Sequence, residues 1–231
     1  MIREIKHLTL EERVYRELRN LILSGEYHPG ERLLYQHLSE VLGVSQTPIK
    51  GALAKLESDG YVLTISRKGT FDREISAKDI SEIFEIREML EALAVRRICR
   101  SDNDIDYAHL REINESFRQG FSRKDLKAST EADYRFHETL IILSGNSRLV
   151  EVMNKTNVHL LSIARSSSNF YQIAKGYHQM HNRIVESLEK KDAALAERLM
   201  REHVRYGMEQ VLMHINSGTD ADTSGKTNEN P

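Results

Sequence analysis

One aspartate and three histidines, placed on three predicted helices, are the side chains in this sequence whose types and spacing favour metal chemistry. Asp133 and His137 are four residues apart, so on a helix they project from one face. His181 precedes a predicted turn at 190–192 by about ten residues, and His203 follows that turn by about eleven. If the two flanking helices pair antiparallel, these imidazoles come level. Three imidazole nitrogens and one carboxylate suit Zn²⁺, Ni²⁺ or another divalent first-row ion.

Two other interpretations of these four side chains stay open on spacing alone. The chain has 10 histidines, and a histidine on an apolar helix face is more often a hydrogen-bonded core residue than a ligand. A metal-dependent hydrolase or oxygenase on a helical bundle could use the same donors to activate water. Against an enzyme, the sequence contains no HExxH, GxxxxGK or GxGxxG motif, and no Glu or Lys is placed by spacing as a general base.

The elements that must position these donors are predicted to be helices. From residue 77 onward, apolar residues recur with helical spacing and there is no strand pattern. The predicted helices span 78–100, 104–121, 126–143, 148–164, 170–190 and 192–215. We therefore predict an all-α antiparallel helical bundle at 76–215, which is long enough to enclose its own core. The polar residues 216–231 have no apolar period and are expected to form a disordered tail.

A second stretch with a possible binding role is the short predicted helix that follows Gly43. Ser45 is typical of an N-cap, because its hydroxyl can accept a hydrogen bond from an amide of the first turn. The apolar stripe of this helix is Ile49, Leu53 and Leu56, and its polar front is Gln46, Thr47 and Lys50. Such a helix is typical of one that enters the DNA major groove, although many surface helices share the pattern.

The segments around this helix predict a winged helix-turn-helix domain. Helices are predicted at 10–23 and 34–42, and a β-hairpin at 61–72 has the tip Arg67, Lys68 and Gly69. We place the domain at 1–75, its helix-turn-helix at about 34–53 and its wing at about 61–72. A basic tip suits contact with phosphates, and a generic basic turn is the alternative. The predicted fold class is mainly α: a winged helix-turn-helix of three helices plus a β-hairpin, followed by the bundle.

Composition limits the partners and the compartment. The net charge is −2, so no bulk positive field attracts nucleic acid, and any DNA contact must depend on local placement of charge. The single cysteine, Cys99, excludes an internal disulfide and fits a reducing cytoplasm, where we expect the protein. No apolar run is long enough to span a bilayer, so no membrane partner is expected.

Several segments together resemble one family of bacterial transcription regulators. In the N-terminal half these are PGERL at 29–33, LSEVLGVSQTPIKGALAKLESDGYV at 38–62 and KGTF at 68–71. In the C-terminal half they are IFEIREMLE at 83–91, DYRFHETL at 133–140 and HNRIVESLEKKDAALAERLMREHV at 181–204. The first set resembles the GntR family, and the whole chain except its tail resembles the FadR-type branch with a C-terminal FCD ligand-binding domain.

The resemblance implies a metal centre with a regulatory role. It identifies Asp133, His137, His181 and His203 as the metal ligands, with a small carboxylate effector completing the coordination of the ion. Arg87 is a candidate for pairing with the effector carboxylate, with an ordinary ion pair as the alternative, and His178 is a candidate neighbour of the ligands. The resemblance further implies a homodimeric repressor that binds an inverted-repeat operator and releases or tightens on it when the effector binds.

Departures from the family pattern fall on the predicted DNA-binding face. The family commonly has arginine at the positions of Gln36, Gln46 and Lys50, and glutamate at that of Gly51. The residues expected to face DNA are Gln36, Ser45, Gln46, Thr47, Lys50, Arg67, Lys68 and Gly69. Glutamine can pair with adenine, and lysine can contact phosphate or guanine, so we expect DNA binding either with a different operator preference or with lower affinity. A winged helix that binds protein or RNA is a further alternative.

Overall fold

The computed structural model describes residues 8–156 and 170–223, which fall into two compact units. The first unit ends at Ile75 and the second begins at Ser76. The elements of the first unit are α1 Leu10–Ser24, β1 Arg32–Leu33, α2 Tyr35–Leu42, α3 Gln46–Ser58, β2 Val62–Ile65 and β3 Gly69–Asp72. Those of the second are α4 Ala77–Cys99, α5 Tyr107–Ser122, α6 Leu126–Leu143, α7 Ser147–Thr156, α8 Phe170–Glu189 and α9 Ala193–Thr223. The predicted fold class, a winged helix-turn-helix followed by an all-α bundle, is confirmed.

The first unit is a three-helix cluster with a small antiparallel sheet. A capping box begins α1, in which the Thr9 hydroxyl accepts from the Glu12 amide and the Glu12 carboxylate accepts from the Thr9 amide. The stripe of α3, Ile49, Ala52, Leu53 and Leu56, is buried, and α3 packs against α1. Helix α3 also contacts α2 and β2, and the side that bears Gln46, Thr47 and Lys50 is left to solvent.

The sheet of the wing has three strands in the order β1-β3-β2, whereas the sequence predicted only the hairpin of β2 and β3. The additional strand pairs antiparallel with β3, with Arg32 opposite Phe71 and Leu33 opposite Thr70. Two residues are too few to produce an alternating pattern, so the sequence carries no periodic signal for β1. The pairing fixes the base of the wing to the segment that leads into α2.

The second unit is a bundle in which α4 packs on α9, while α5 packs on both α6 and α8. Its core includes Ile80, Val95, Leu110, Phe117, Phe136, Leu140, Ile184 and Leu199. Helices α5 and α6 approach closely at Gly120, where a Cβ atom would lie 2.7 Å from the backbone nitrogen of Ser129. In the described residues, no helix is both long enough and apolar enough to cross a membrane.

Two predicted boundaries differ from the structure. The expected disordered tail at 216–231 is wrong for its first part, because α9 continues to Thr223, and residues 224–231 lie outside the described ones. Elongating an existing helix adds one backbone hydrogen bond per residue, and no proline lies between the start of α9 and Pro231. The helix predicted at 148–164 is described as Ser147–Thr156, and the rest of that prediction lies outside the described residues.

Candidate metal centre and DNA-binding face

Helices α6, α8 and α9 bring the four predicted metal ligands together. Asp133 and His137 come from α6, His181 from α8 and His203 from α9, and one potential ligand atom of each lies within 4.8 Å of the others. The Nε2 atom of His203 is 3.0 Å from that of His137 and 3.2 Å from that of His181. The Oδ1 atom of Asp133 is 3.6 Å from His181 Nε2 and 3.9 Å from His137 Nε2.

These separations fit a single divalent ion. Bonds of about 2.0–2.1 Å place neighbouring ligand atoms roughly 3.0 Å apart in an octahedron and roughly 3.4 Å apart in a tetrahedron. The Asp133 side chain is 25% exposed as a whole, but its Oδ1 atom is buried and has no hydrogen-bond partner. A buried carboxylate oxygen without a donor is costly, and a cation bound at this point would compensate it. The donor set therefore suits Zn²⁺ or Ni²⁺.

Burial also sets the protonation of the donors. The pKa values of His181 and His203 lie well below the usual range, because both rings are buried and lie beside other imidazoles. Neutral imidazoles present nitrogen lone pairs, which is the form that binds a metal. Burial raises the pKa of Asp133, although the neighbouring His137 and Arg87 oppose that shift. Its charged form would be stabilised by a bound cation.

A buried carboxylate orients His137. The Nδ1 atom of His137 donates to Glu91 Oε2 at 2.5 Å, and Glu91 also accepts from Arg87 at 2.8 Å. Burial raises the pKa of Glu91, but the charge of Arg87 and the hydrogen bond from His137 outweigh burial and hold the pKa at about 2. Because Nδ1 carries the proton, the lone pair of His137 is on Nε2, which faces the other donors.

An asparagine orients His181 in the same way. The amide nitrogen of Asn114 donates to the His178 carbonyl at 3.1 Å and to Asn182 Oδ1 at 2.8 Å. The remaining Asn114 oxygen is 3.1 Å from His181 Nδ1, so that nitrogen must be the donor. The lone pair of His181 is consequently on Nε2. In the described residues, His203 Nδ1 is buried without a hydrogen-bond partner.

Aromatic rings fix the planes of the imidazoles. Phe136 stacks on His181 with ring centroids 4.0 Å apart, and Tyr177 meets His203 edge-on at 5.0 Å. Phe117 contacts His181 from another side at 5.7 Å. These contacts restrict rotation of the ligand side chains, so the donor atoms are held in place before any ion binds.

The two predicted effector-binding residues lie outside the cluster of donors. Arg87 is 8% exposed and directs its Nε and Nη2 atoms to Glu91, behind His137. His178 lies one turn before His181, and its Nε2 accepts from the Asn182 amide at 3.2 Å. Arg87 is therefore separated from His137 by one residue, Glu91, and the His178 side chain is separated from His181 by two, Asn182 and Asn114.

Sequence reasoning missed Glu91 and Asn114. Each carries a detectable signal, because each is a polar residue within an apolar helical stripe. Asn114 is flanked on α5 by Leu110, Ile113 and Phe117, all of which are buried. Glu91 follows Arg87 by four residues on the buried side of α4. A polar side chain on a buried face needs a partner, which is a reason to search for one.

The predicted DNA-binding residues of the helix-turn-helix are exposed. Gln46, Thr47 and Lys50 lie on the solvent side of α3. Ser45 is the N-cap residue as predicted, but its hydroxyl makes no capping hydrogen bond. On α2, the Gln36 amide donates to Glu40 at 3.1 Å, a contact that DNA binding would have to break or extend.

The wing presents a larger basic surface than the sequence indicated. Arg67 and Lys68 are exposed at its tip, and Arg67 adopts a left-handed conformation with φ 63°. Gly69 has φ 118°, and a Cβ atom there would lie 2.7 Å from Arg32 Nε. Glycine therefore allows the Arg32 guanidinium to lie against the wing. Arg32 was missed because its proximity to the tip depends on the β1–β3 pairing.

Comparison with known families and proteins gives matches in both units. The model of bacterial regulatory proteins of the gntR family matches residues 10–71, and the FCD domain model matches residues 82–206, more than half of the chain. These are the two families whose motifs the sequence resembles.

Individual proteins match over most of their length. The chain is 28% identical to the uncharacterized HTH-type transcriptional regulator YdhC of Bacillus subtilis (strain 168), covering 87% of this chain and 90% of that protein. It is 27% identical to the gluconate operon transcriptional repressor of Bacillus licheniformis, and the match covers 79% of this chain and 77% of that protein. The solved structure of E. coli McbR/YncC has a TM-score of 0.78 at 22% identity, over 90% of this chain and 100% of that one. At that identity the structural likeness supports the fold.

Proposed function

Since the chain belongs to the GntR family of bacterial regulatory proteins and carries an FCD domain, it is a DNA-binding transcription regulator, and we propose that a divalent metal and a small carboxylate control its affinity for DNA. The family consists of regulators rather than enzymes, which removes the metal-dependent hydrolase as an interpretation of the four donors. The observation that carries the proposal is the convergence of Asp133 and three histidine Nε2 atoms inside the FCD domain.

The proposed ion is held by Asp133, His137, His181 and His203, with Zn²⁺ or Ni²⁺ as its identity. The bound ion would supply a positive centre with positions left for a ligand, and a carboxylate is suited to such a centre. Glu91 and Asn114 keep two of the imidazoles in the metal-binding tautomer. Arg87 is proposed to act through Glu91, and the His178 side chain through Asn182 and Asn114.

The proposed DNA contacts come from the exposed front of α3 and from the wing. Gln46, Thr47 and Lys50 would enter the major groove, where glutamine can recognise adenine. The Ser45 hydroxyl makes no capping hydrogen bond, and we propose that it contacts a phosphate. Gln36 would contact the backbone beside them. At the wing, Arg67, Lys68 and the backbone of Gly69 would contact phosphate, together with Arg32.

We further propose a homodimer that binds an inverted repeat in the cytoplasm and acts as a repressor. A two-fold dimer matches a palindromic operator, because each recognition helix then faces one half-site. The sign of regulation follows the gluconate operon repressor, to which the chain is similar. The single cysteine, which is free and buried, is compatible with a reducing compartment.

Fluorescence anisotropy of a labelled duplex from the gene's own upstream region tests this function. A scrambled duplex is the first control, and each is titrated over a salt series with metal-loaded and metal-stripped protein, with and without a panel of small carboxylates. We expect preference for the native duplex, a steep loss of affinity with salt, and a change in affinity when one carboxylate meets metal-loaded protein.

Two variants distinguish an effect of the proposed metal site from a general effect of replacing histidine. His181→Ala with His203→Ala should retain DNA binding and lose the carboxylate response, whereas His109→Ala, an exposed histidine on α5, should retain both. Full retention of the response in the double variant would contradict the proposed control by metal. Absence of any preference for native duplex, tested across the upstream region, would contradict the proposed operator.

A further inference from the structure

Three arginines cluster at the C-terminal end of α4, outside the proposed metal centre. There a cleft of about 520 Å³ is formed with the loop that follows α4 and with the turn between α6 and α7. Among its described lining residues are Arg96, Arg97, Arg100, Ser101, Asn103 and Ser144, and none of the described lining residues is acidic. We call this the arginine cleft. Its volume lies within the range of small-molecule sites, roughly 300–1,000 Å³.

The positive charge of the arginine cleft is poorly compensated. Arg97 donates through Nε to the Ser144 carbonyl at 3.0 Å, which orients the guanidinium without neutralising it. The Arg96 guanidinium is 3.7 Å from Glu197, and that carboxylate is already paired with Arg201 at 2.8 Å. Arg100 is exposed and makes no close ion pair within the part of the chain that the structure describes. The pKa of Glu197 is lowered by its hydrogen bond with Arg201 and by the charges of Arg96 and Arg100, so one carboxylate serves three arginines.

Repulsion between neighbouring arginines on α4 weakly disfavours this clustering, and a bound anion would relieve it. Arg96 and Arg100 are four residues apart on α4, and like charges at this spacing repel each other. The C-terminal end of a helix attracts cations, which explains one or two arginines at this position. It does not explain why a loop and a second helix end complete a polar cleft around three of them.

The arginine cleft is separate from the metal centre. Glu91 and His137 connect α4 to α6 at the metal centre, and Arg97 and Ser144 connect the same helices at the cleft. These contacts are six residues apart along α4 and seven apart between His137 of α6 and Ser144, which caps that helix; at 1.5 Å per residue this corresponds to about 9 and about 10.5 Å. A ligand in the cleft therefore would not need the metal, although both sites share two helices.

We propose that the arginine cleft binds the phosphate group of a small anionic ligand. A planar guanidinium offers paired N–H donors that match phosphate oxygens, and three guanidinium groups can surround one doubly charged group. The cleft exceeds the size of inorganic phosphate, so a phosphate ester with a small organic part fits better than the free ion. This proposal is independent of the metal and of operator binding.

Isothermal titration calorimetry of the full chain tests the proposal at constant ionic strength. The ligands are inorganic phosphate, glycerol 3-phosphate and succinate, the last as a dianion without phosphorus. The cleft variant is Arg97→Gln with Arg100→Gln, and the matched control is Arg118→Gln with Arg198→Gln, which removes the same charge from exposed sites on α5 and α9. Wild-type protein stripped of metal by chelation and dialysis is the third sample.

We expect one saturable site for a phosphate ligand, at least tenfold weaker binding in the cleft variant, and less than a twofold change in the control and in the stripped protein. If glycerol 3-phosphate binds more tightly than inorganic phosphate, the cleft also contacts the organic part of the ester. If the two bind equally, the cleft recognises the phosphate group alone. If the cleft variant fails a circular dichroism check of folding, the single Arg100→Gln replaces it with the same expectation. Absence of saturable phosphate binding, equal weakening in the control, loss on metal removal, or equally tight succinate binding would each overturn the proposal.

Discussion

Glu91 Oε2 lies 2.5 Å from His137 Nδ1, and the same carboxylate is paired with Arg87 at 2.8 Å. The three residues form a buried chain that ends at an imidazole of the proposed metal centre. Within it, the carboxylate fixes the tautomer of His137, and the arginine keeps the carboxylate ionised. If this relationship serves the proposed metal centre, it should be measurable in the affinity for the ion.

Glu91→Gln is expected to weaken Zn²⁺ binding by roughly 10–100-fold, because a neutral amide orients His137 less firmly and lowers its basicity. The measurement is a competition titration against a chromogenic chelator. Glu85→Gln, an exposed change on the same helix, is the matched control and should leave the affinity unaltered. Equal affinities in wild type and Glu91→Gln, with folding verified by circular dichroism, would remove Glu91 from the centre.

Two glycine substitutions are expected to have opposite effects on stability. At Gly51 a Cβ would overlap only the Glu11 carboxylate, the end of an exposed and flexible side chain. Gly51→Ala should therefore raise the free energy of unfolding by roughly 0.5–1 kcal/mol through helix propensity. At Gly120 a Cβ would meet the backbone of Ser129, which cannot move easily. Gly120→Ala should therefore lower the free energy of unfolding by about 1–3 kcal/mol.

Urea unfolding followed by circular dichroism checks both changes, each read in the transition of its own compact unit. If Gly51→Ala destabilises as much as Gly120→Ala, the Glu11 contact is rigid and the interpretation is wrong. Adding Glu11→Ala to Gly51→Ala separates the contact from the propensity, because the overlap is then absent.

Asp72 in the wing is expected to make stability depend on pH. Burial raises its pKa to about 6, with Glu31 adding to the shift. The folded state then binds a proton more tightly than the unfolded chain, so stability falls as pH rises from about 4 to about 6. Asp72→Asn should flatten this dependence and raise the free energy of unfolding at pH 7 by roughly 1–2 kcal/mol. Urea unfolding at half-unit pH steps gives the comparison; parallel profiles for the two proteins would refute the assignment.

Two lysines of α3 should differ in their effect on DNA binding. Lys50 is on the exposed front, whereas the Lys55 ammonium lies over the Tyr15 ring of α1 at 4.7 Å. Lys50→Ala should weaken binding and reduce the slope of log affinity against log salt by about 1, the value for one phosphate contact. Lys55→Ala should leave the slope nearly unchanged. The same slope in both variants would argue against a phosphate contact by Lys50.

Local periodicity located the helices and identified the buried stripe of α3, although Leu34 and Val41, which it placed inward, are exposed. The spacing of Asp133 and His137 placed both on one side of α6, and the predicted turn at 190–192 brought His181 level with His203. These inferences succeed because helix geometry relates sequence spacing directly to direction.

Contacts between distant segments were not predictable in this way. Asn114 reaches His181 across 67 positions, and Glu91 reaches His137 across 46, so their roles depend on helix packing rather than on spacing. Arg32 and the wing are joined by a two-residue strand with no periodic signature. Helix α9 continues into polar sequence because an existing helix is easily elongated. The prediction of a disordered tail is based on the absence of an apolar period, which does not detect such elongation.

Metal stoichiometry tests the central claim most directly. Wild-type protein and two variants, Asp133→Asn and His181→Ala with His203→Ala, would be incubated with Zn²⁺ or Ni²⁺, desalted and analysed by inductively coupled plasma mass spectrometry, with His109→Ala as control. The account predicts one bound ion per chain in wild type and in His109→Ala. It predicts clearly less than one bound ion per chain in Asp133→Asn and no bound ion in the double variant. No bound ion in wild type, or a full complement in the double variant, would contradict it.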